Sequence, residues 1–382
     1  MCPWKMGGRE MSPKVRIAGV SDVNLGLGSP QVLYFMRSVL TYYDAEGILI
    51  EPDQPKIPLM QELTKGLNIH RIYSAFHPHQ SFAGRIEYII RSASLINKLR
   101  PDILILFCTF TLPVLFKLKT RPPFVIYYAY EMPFSYGELD VKMNRYVLNN
   151  SLVDLIIFPE ENRAIQTLKI CGCRNIPIVI LYNCESSIDS GYEVLQPKLR
   201  NGRILYAGTI DSVRTFAEYF FHEKMRLIPL DIFGNITGPD KENLRERFQK
   251  LCGGIRYLGV VNRETLKNVQ KSYCYRVVMW NPVDDQHLYA APNKFFEAIA
   301  AGVPPITAPH PQCKMLVRRY KCGIVMDDWS FDSFYEAIRQ ALEIYGTDKY
   351  DRMVENCRKA FVEELNWEKQ FEKVKPFLKE VR

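Results

Sequence analysis

Several features that would assign this chain to a familiar functional class are missing from it. It has no Cys-x-x-Cys pair: the ten cysteines are scattered, and only Cys171-Gly-Cys173 brings two close together. That spacing argues against a structural zinc site, and reduced thiols are the simplest account. Long apolar runs are also absent. The strongest, Ile103 to Phe116, is shorter than a bilayer span and contains Pro113, so it reads as a buried strand followed by a helix. No apolar stretch follows the first charged residues, so no signal peptide is expected and the cytoplasm is the expected compartment. The net charge is +8, yet the basic residues form no concentrated tract. This argues against a dedicated nucleic-acid binder and suits an anionic substrate or an anionic membrane surface.

What is present is an ordinary globular composition, with 47% hydrophobic and 24% charged residues. A chain of 382 residues exceeds a single ordinary core, so two domains of roughly 180 residues each are expected. Apolar strand-like runs alternate with helical periodicity from Lys14 to about Leu181, lose their period near 184–201, and resume at Arg203. Ile103–Cys108, Phe124–Tyr128, Leu155–Phe158, Arg203–Ala207, Leu230–Phe233 and Val277–Trp280 have the near-continuous apolar character of parallel strands buried on both faces. The expected architecture is therefore α/β, with doubly wound sheets. The expected division is an N-terminal domain over 1–185, a linker over 186–200, a second domain over 201–360 and a C-terminal helix over 361–382, packing back towards the first domain.

The most informative stretch is Tyr289-Ala-Ala-Pro292-Asn293-Lys294-Phe295-Phe296-Glu297, continuing through Ala301-Gly302-Val303-Pro304. Pro292 suits a first helical position, Gly302 supplies a left-handed terminator, and Pro304-Pro305 forbid continuation. The result is a short, mostly apolar helix whose exposed end is its N-terminus, where unpaired N–H groups attract phosphate. Lys294 adds a full charge in the first turn, and Glu297 follows one turn deeper on the same face. A cation above a carboxylate matches a nucleotide, with diphosphate at Lys294 and ribose hydroxyls at Glu297. A capped helix with an i, i+3 ion pair is the competing account of the same residues.

Other candidates are weaker alone. Gly26-Leu-Gly28, after the first strand, either cradles a ligand or turns the chain. Glu131 follows strand Phe124–Tyr128, at the carboxyl end where α/β ligands bind, but a carboxylate there also caps loops. His77-Pro-His79 and Asp284-Asp285 resemble fragments of metal sites but lack further ligands, so no metal is expected. Lys117-Leu-Lys119-Thr-Arg121, beside an apolar segment, is either a solvated face or a contact for anionic lipid.

Taken together, the pattern resembles the GT-B glycosyltransferases, particularly the large retaining family 4 type, most strongly over 203–326. Tyr206-Ala-Gly208-Thr209 through Arg214 is similar to the family's strand, glycine and basic-residue element. By that match Gly208 and Thr209 let the backbone approach the donor, and Arg214 binds its diphosphate. Asn293-Lys294 with Glu297, after Pro292, resembles a variant of the family's donor motif, and Asn183 matches an asparagine that closes the first domain. Three positions depart from the pattern. Tyr289 stands where the first motif glutamate is usual, Tyr130 where a histidine is frequent, and Arg214 where a lysine is usual.

The resemblance implies two Rossmann-like domains facing each other across a cleft, and transfer of a sugar from a nucleotide diphosphate sugar with retention and without metal. Arg214 and Lys294 would stabilise the departing diphosphate, and Glu131 would orient the acceptor or the sugar. The donor is a co-substrate, so no cofactor is expected. The acceptor is a carbohydrate, a lipid-linked compound or a small molecule, with peripheral contact at the membrane's cytoplasmic face as a further expectation. Two alternatives remain open: a nucleotide-sugar epimerase of the same fold, and a non-catalytic GT-B-like binding protein, which the loss of the acid at Tyr289 favours.

Overall fold

A computed structural model describes residues 15–25, 29–54, 57, 66–76, 78–173, 175–190 and 196–378. The chain divides into two compact units: residues 1–157, 167–179 and 376–382 form one, and 158–166 with 180–375 form the other.

The first unit is built on a seven-stranded sheet. Its strands are β1 (Ile17–Val20), β2 (Gly47–Pro52), β3 (Leu67–Ile72), β4 (Ile103–Phe107), β5 (Phe124–Tyr128), β6 (Leu155–Phe158) and β7 (Ile178–Ile180), in the order β3-β2-β1-β4-β5-β6-β7. β1 pairs in parallel with both β2 and β4, so the strand order reverses between β1 and β4. Every residue of β1, β4, β5 and β6 is buried, as the unbroken apolar runs require. The segment after β4 is not an α-helix. Thr109–Lys117 winds as a 3-10 helix that contains Pro113.

The second unit carries six strands: β8 (Ile204–Ala207), β9 (Leu230–Phe233), β10 (Ile255–Tyr257), β11 (Tyr275–Val278), β12 (Pro305–Thr307) and β13 (Ile324–Val325). Their order is β10-β9-β8-β11-β12-β13, all parallel, with the reversal between β8 and β11. Its core is rich in aromatics, with Tyr206, Phe220, Phe248, Tyr275, Phe334 and Tyr350 all within one buried cluster. Helices Phe331–Ile344 and Asp348–Glu363 lie at the positions their periodicity predicts. Helix Trp367–Glu372 follows, capped by Asn366, and its Trp367 N–H donates to the carbonyl of Glu185 within the same unit.

The cysteines among the described residues are all free thiols. No described helix is long and apolar enough to cross a membrane.

Candidate functional site

In a doubly wound sheet the ligand crevice opens beyond the carboxyl ends of the strands, where the order reverses. In the second unit those ends belong to β8 and β11. β8 runs straight into Gly208, and β11 into Met279-Trp280-Asn281. Gly208 has φ of +153°, a conformation that disfavours a side chain, and a Cβ there would lie 2.8 Å from Lys294 Nζ. The glycine thus lets the backbone reach the lysine, joining two motifs about 85 residues apart in sequence. Behind it Gly234, with φ of +156°, meets the Gly208 carbonyl so closely that a Cβ would lie 1.8 Å from its oxygen.

The helix carrying Lys294 spans Asn293–Ala300. Pro292 is its N-cap and not its first helical residue, because its ψ of 120° is extended. The other end is as expected. Gly302 has φ of +64°, and Gly302 and Val303 donate to the carbonyls of Ile299 and Ala298, the paired bonds of a Schellman motif. Phe295, Phe296, Ala298 and Ile299 are fully buried and hold the helix against the core.

Lys294 differs from its sequence reading. It is not an open cation at a helix mouth but is 7% exposed, with its ammonium 4.8 Å from the ring centre of Tyr206 and 4.5 Å from that of Trp280. Two aromatic faces offer the charge some compensation, but Nζ has no hydrogen-bond partner. Burial, reinforced by the guanidinium of Arg276, pulls its pKa down to about 7. Glu297 attracts its charge without bonding it, so a buried amino group with no hydrogen-bond partner stands at the switch point of the sheet.

The i, i+3 ion pair does not form either. Glu297 Oε2 accepts instead from Arg276 Nη2 at 2.6 Å. Despite partial burial, Arg276 first and Arg263 next hold the Glu297 carboxyl below its ordinary pKa. Glu297 keeps 20% of its side chain exposed and lines a small cavity with Glu185, Arg263, Lys267 and Gln270.

Arg214 sits on a turn, not a helix. The carboxylate of Asp211 accepts from the N–H groups of Val213 and Arg214, and the Arg214 guanidinium lies 3.3 Å from the same carboxylate. These bonds keep Asp211 ionised below its ordinary pKa despite the opposing effect of burial. The Arg214 side chain remains 47% exposed, and its carbonyl accepts from the N–H of Asn281, so the turn is tied to the segment carrying Trp280. Thr209 is held through its carbonyl by the Tyr206 hydroxyl, and Asn293 opens the helix.

Two supports were invisible in the sequence. His310, fully buried, accepts at Nε2 from the N–H of Trp280, which leaves Nδ1 to donate to the carbonyl of Leu288. Burial drives its pKa down to about 4, so this neutral tautomer persists at physiological pH. Arg163 donates to the carbonyls of Tyr289 and Gln286, fixing the strand-to-helix connection on which the usual motif acid is replaced. Asn183 adds a bond to the carbonyl of Ala291. These contacts span from 22 to 126 residues, beyond the reach of any local pattern.

In the first unit, Glu131 follows β5 and is partly exposed. Its charge acts on Tyr136, which belongs to a group the sequence did not suggest, around Asp22 just after β1. The hydroxyl of Tyr130 donates to one Asp22 oxygen and that of Tyr136 to the other, and His79 bonds the Asp22 carbonyl. Burial raises the Asp22 pKa. Tyr130, where a histidine is frequent in the resembled family, is therefore a carboxylate partner. Gly26 and Gly28 lie outside the described residues. Asp284 caps the short helix Asp285–Leu288 and binds His287, and no metal-ligand cluster exists among the described residues.

Residues 201–343 match the family described as Glycosyl transferases group 1. The chain is similar to the sucrose-phosphate synthase of Thermosynechococcus elongatus, with 15% identity, TM-score 0.70, and coverage of 95% of this chain and 98% of that one. The fold is GT-B. A glycosyltransferase from Rickettsia africae is alike to the same degree, with 15% identity, TM-score 0.70, and 96% and 98% coverage. Anabaena Alr3699/HepE, in complex with UDP and glucose, gives 12% identity, TM-score 0.71, and 95% and 98% coverage. No curated protein matches the sequence. In GT-B terms, Gly208, Lys294 and Glu297 stand together in the second domain, with Arg214 on a turn bonded to the Trp280–Asn281 segment.

Proposed function

We propose that this GT-B protein is a glycosyltransferase that moves a sugar from a nucleotide diphosphate sugar to an acceptor, with retention of anomeric configuration. The observation that carries the reading is the buried, unpartnered ammonium of Lys294 beside Gly208. The donor diphosphate would lie against Lys294, the N-terminus of the Asn293–Ala300 helix and Arg214, with its ribose at Glu297. As the anomeric bond breaks, negative charge accumulates on the leaving diphosphate, and these fixed cations and dipoles stabilise it. Protein groups supply that stabilisation, so the mechanism calls on no metal. UDP and UDP-glucose in the Anabaena structures support a nucleotide-sugar donor. Glu131, with Asp22, Tyr130 and Tyr136 nearby in the first domain, would orient the acceptor hydroxyl or the transferred sugar.

Thermal shift and calorimetry against UDP, ADP, GDP and their sugars test the donor assignment. One nucleotide should bind, and Arg214→Ala should weaken it about 10-fold while leaving the melting temperature nearly unchanged, because an exposed charge contributes little to folding. Binding without donor turnover in any acceptor pool would identify a non-catalytic binding protein. Conversion of the donor to a new nucleotide sugar without acceptor would identify an epimerase. If Arg214→Ala and Lys294→Ala both bind as the parent does, the site is misassigned.

The first domain also exposes Phe116, at 46%, next to Lys117, Lys119 and Arg121. We propose that this edge touches anionic lipid at the cytoplasmic face of a membrane. Co-sedimentation with vesicles containing phosphatidylglycerol should fall on Lys117→Glu/Lys119→Glu, and no sedimentation by the parent would dismiss the contact.

A further inference from the structure

Arg276 is out of place by every local rule. It lies inside β11, the central strand next to the switch point, registered against Leu205 and Pro305 and flanked by Tyr275 and Val277. Its side chain is 2% exposed. Removing a guanidinium from water costs several kcal/mol unless its donors are met, so an arginine here requires partners built for it. Nη2 donates to Glu297 Oε2 at 2.6 Å, and Nη1 donates to Gln270 Oε1. Nε is buried with no partner. The guanidinium is therefore anchored by Gln270 on one side and bound to the carboxylate on the other.

The consequence falls on Glu297. A free carboxylate rotates and can offer both oxygens to a pair of vicinal hydroxyls. Here Oε2 is taken up by the buried Arg276, while the side chain keeps 20% exposure and lines the small cavity. A planar guanidinium fixes direction as well as charge, which a lysine ammonium would not. The same group favours the ionised carboxylate, so the exposed oxygen is a strong acceptor.

We propose that Arg276 is a positioning residue for the nucleoside, holding Glu297 so that it presents one oxygen, Oε1, to a single ribose hydroxyl. This rests on the nucleotide assignment above and deepens it. Recognition of the ribose is then asymmetric: one hydroxyl is gripped by a charged acceptor and its neighbour is not.

The test takes the tightest binder among UDP, ADP and GDP and compares it by calorimetry with its 2′-deoxy and 3′-deoxy counterparts. For the parent protein, one deoxy analogue should bind about 10-fold or more weakly, the range for a hydrogen bond to a charged group, and the other should stay within about 3-fold. In Arg276→Met the carboxylate loses the bond that fixes Oε2, and the two analogues should come within about 3-fold of each other. Arg276→Lys should restore only part of the asymmetry. A purely structural role would lower affinity for all three nucleotides and leave their ratios unchanged. Gln270→Leu, which removes the anchor and keeps Arg276, should move the ratios the same way and serves if the methionine variant does not fold. Equal losses for both analogues in the parent overturn the proposal with no variant needed, as does an unchanged asymmetry in Gln270→Leu. Failure of every nucleotide to bind would instead remove the donor assignment.

Discussion

Lys294→Met should weaken nucleotide binding severely and at the same time stabilise the ligand-free protein. The two effects share a cause. The ammonium is buried without a hydrogen-bond partner, and its pKa falls from 10.5 to about 7. Such a shift corresponds to about 5 kcal/mol held against folding when the group is charged in both states. The sign follows from proton counts. Between the folded and unfolded pKa values the unfolded chain binds more protons, so the parent's stability rises with pH from about 7 towards 10.5. Methionine has no such dependence and fills a similar volume. The melting-temperature gain of Lys294→Met should therefore be larger at pH 6 than at pH 9, by the equivalent of about 3 kcal/mol. Lower stability than the parent at pH 6 would falsify the view of Lys294 as an uncompensated cation.

Ligand binding reverses that balance. A diphosphate against Lys294 returns its pKa to the normal range, so binding at pH 8 should take up about one proton. Calorimetry in buffers of different ionisation enthalpy reads this directly. In Lys294→Met the uptake should vanish, and affinity should drop about 100-fold or more through loss of a desolvated charge-assisted contact. Proton uptake that survives in Lys294→Met would place the titrating group elsewhere.

The second large effect separates two glycines of one crevice. Gly234→Ala should unfold the protein or destabilise it by about 4 kcal/mol or more, because the new Cβ would lie 1.8 Å from the backbone oxygen of Gly208. Neither backbone can retreat, since Gly208 N–H is bonded to the Phe233 carbonyl and Gly234 N–H to that of Gly259. At Gly208 the obstacle is different. Its Cβ would meet the far end of the Lys294 side chain at 2.8 Å, which can swing aside. Gly208→Ala should therefore fold, with a loss of about 1–3 kcal/mol from its φ, and bind nucleotide about 10-fold more weakly. Urea unfolding and nucleotide titration of both variants check the contrast. Equal stability of the two would mean that the close approach at Gly234 is relieved by a small backbone shift.

Most of the fold was legible because parallel strands buried on both faces leave continuous apolar runs. β5 and β6 occupy the residues their apolar runs predict. The short helix at Asn293 announced itself by its proline and its terminal glycine, both of which act through local backbone geometry. Segments whose conformation depends on a single residue were less secure. The helix expected after β4 is a 3-10 helix, and Pro292 proved to be a cap.

The chemical types at the candidate site, a lysine, a glutamate, an arginine and a glycine in particular motifs, were set by the chain alone, since residue type and spacing are properties of the sequence. Their partners were decided by tertiary structure. The sequence placed Glu297 one helical turn from Lys294 and so suggested an ion pair. Folding instead inserted Arg276 from a neighbouring strand and left the lysine between two aromatic rings with no hydrogen-bond partner. Likewise, nothing local tied Arg163 to Tyr289 or His310 to Trp280. Helical spacing fixes which side chains can meet, but burial decides which of them must, because a charge removed from water takes whichever partner the packed chain brings within reach.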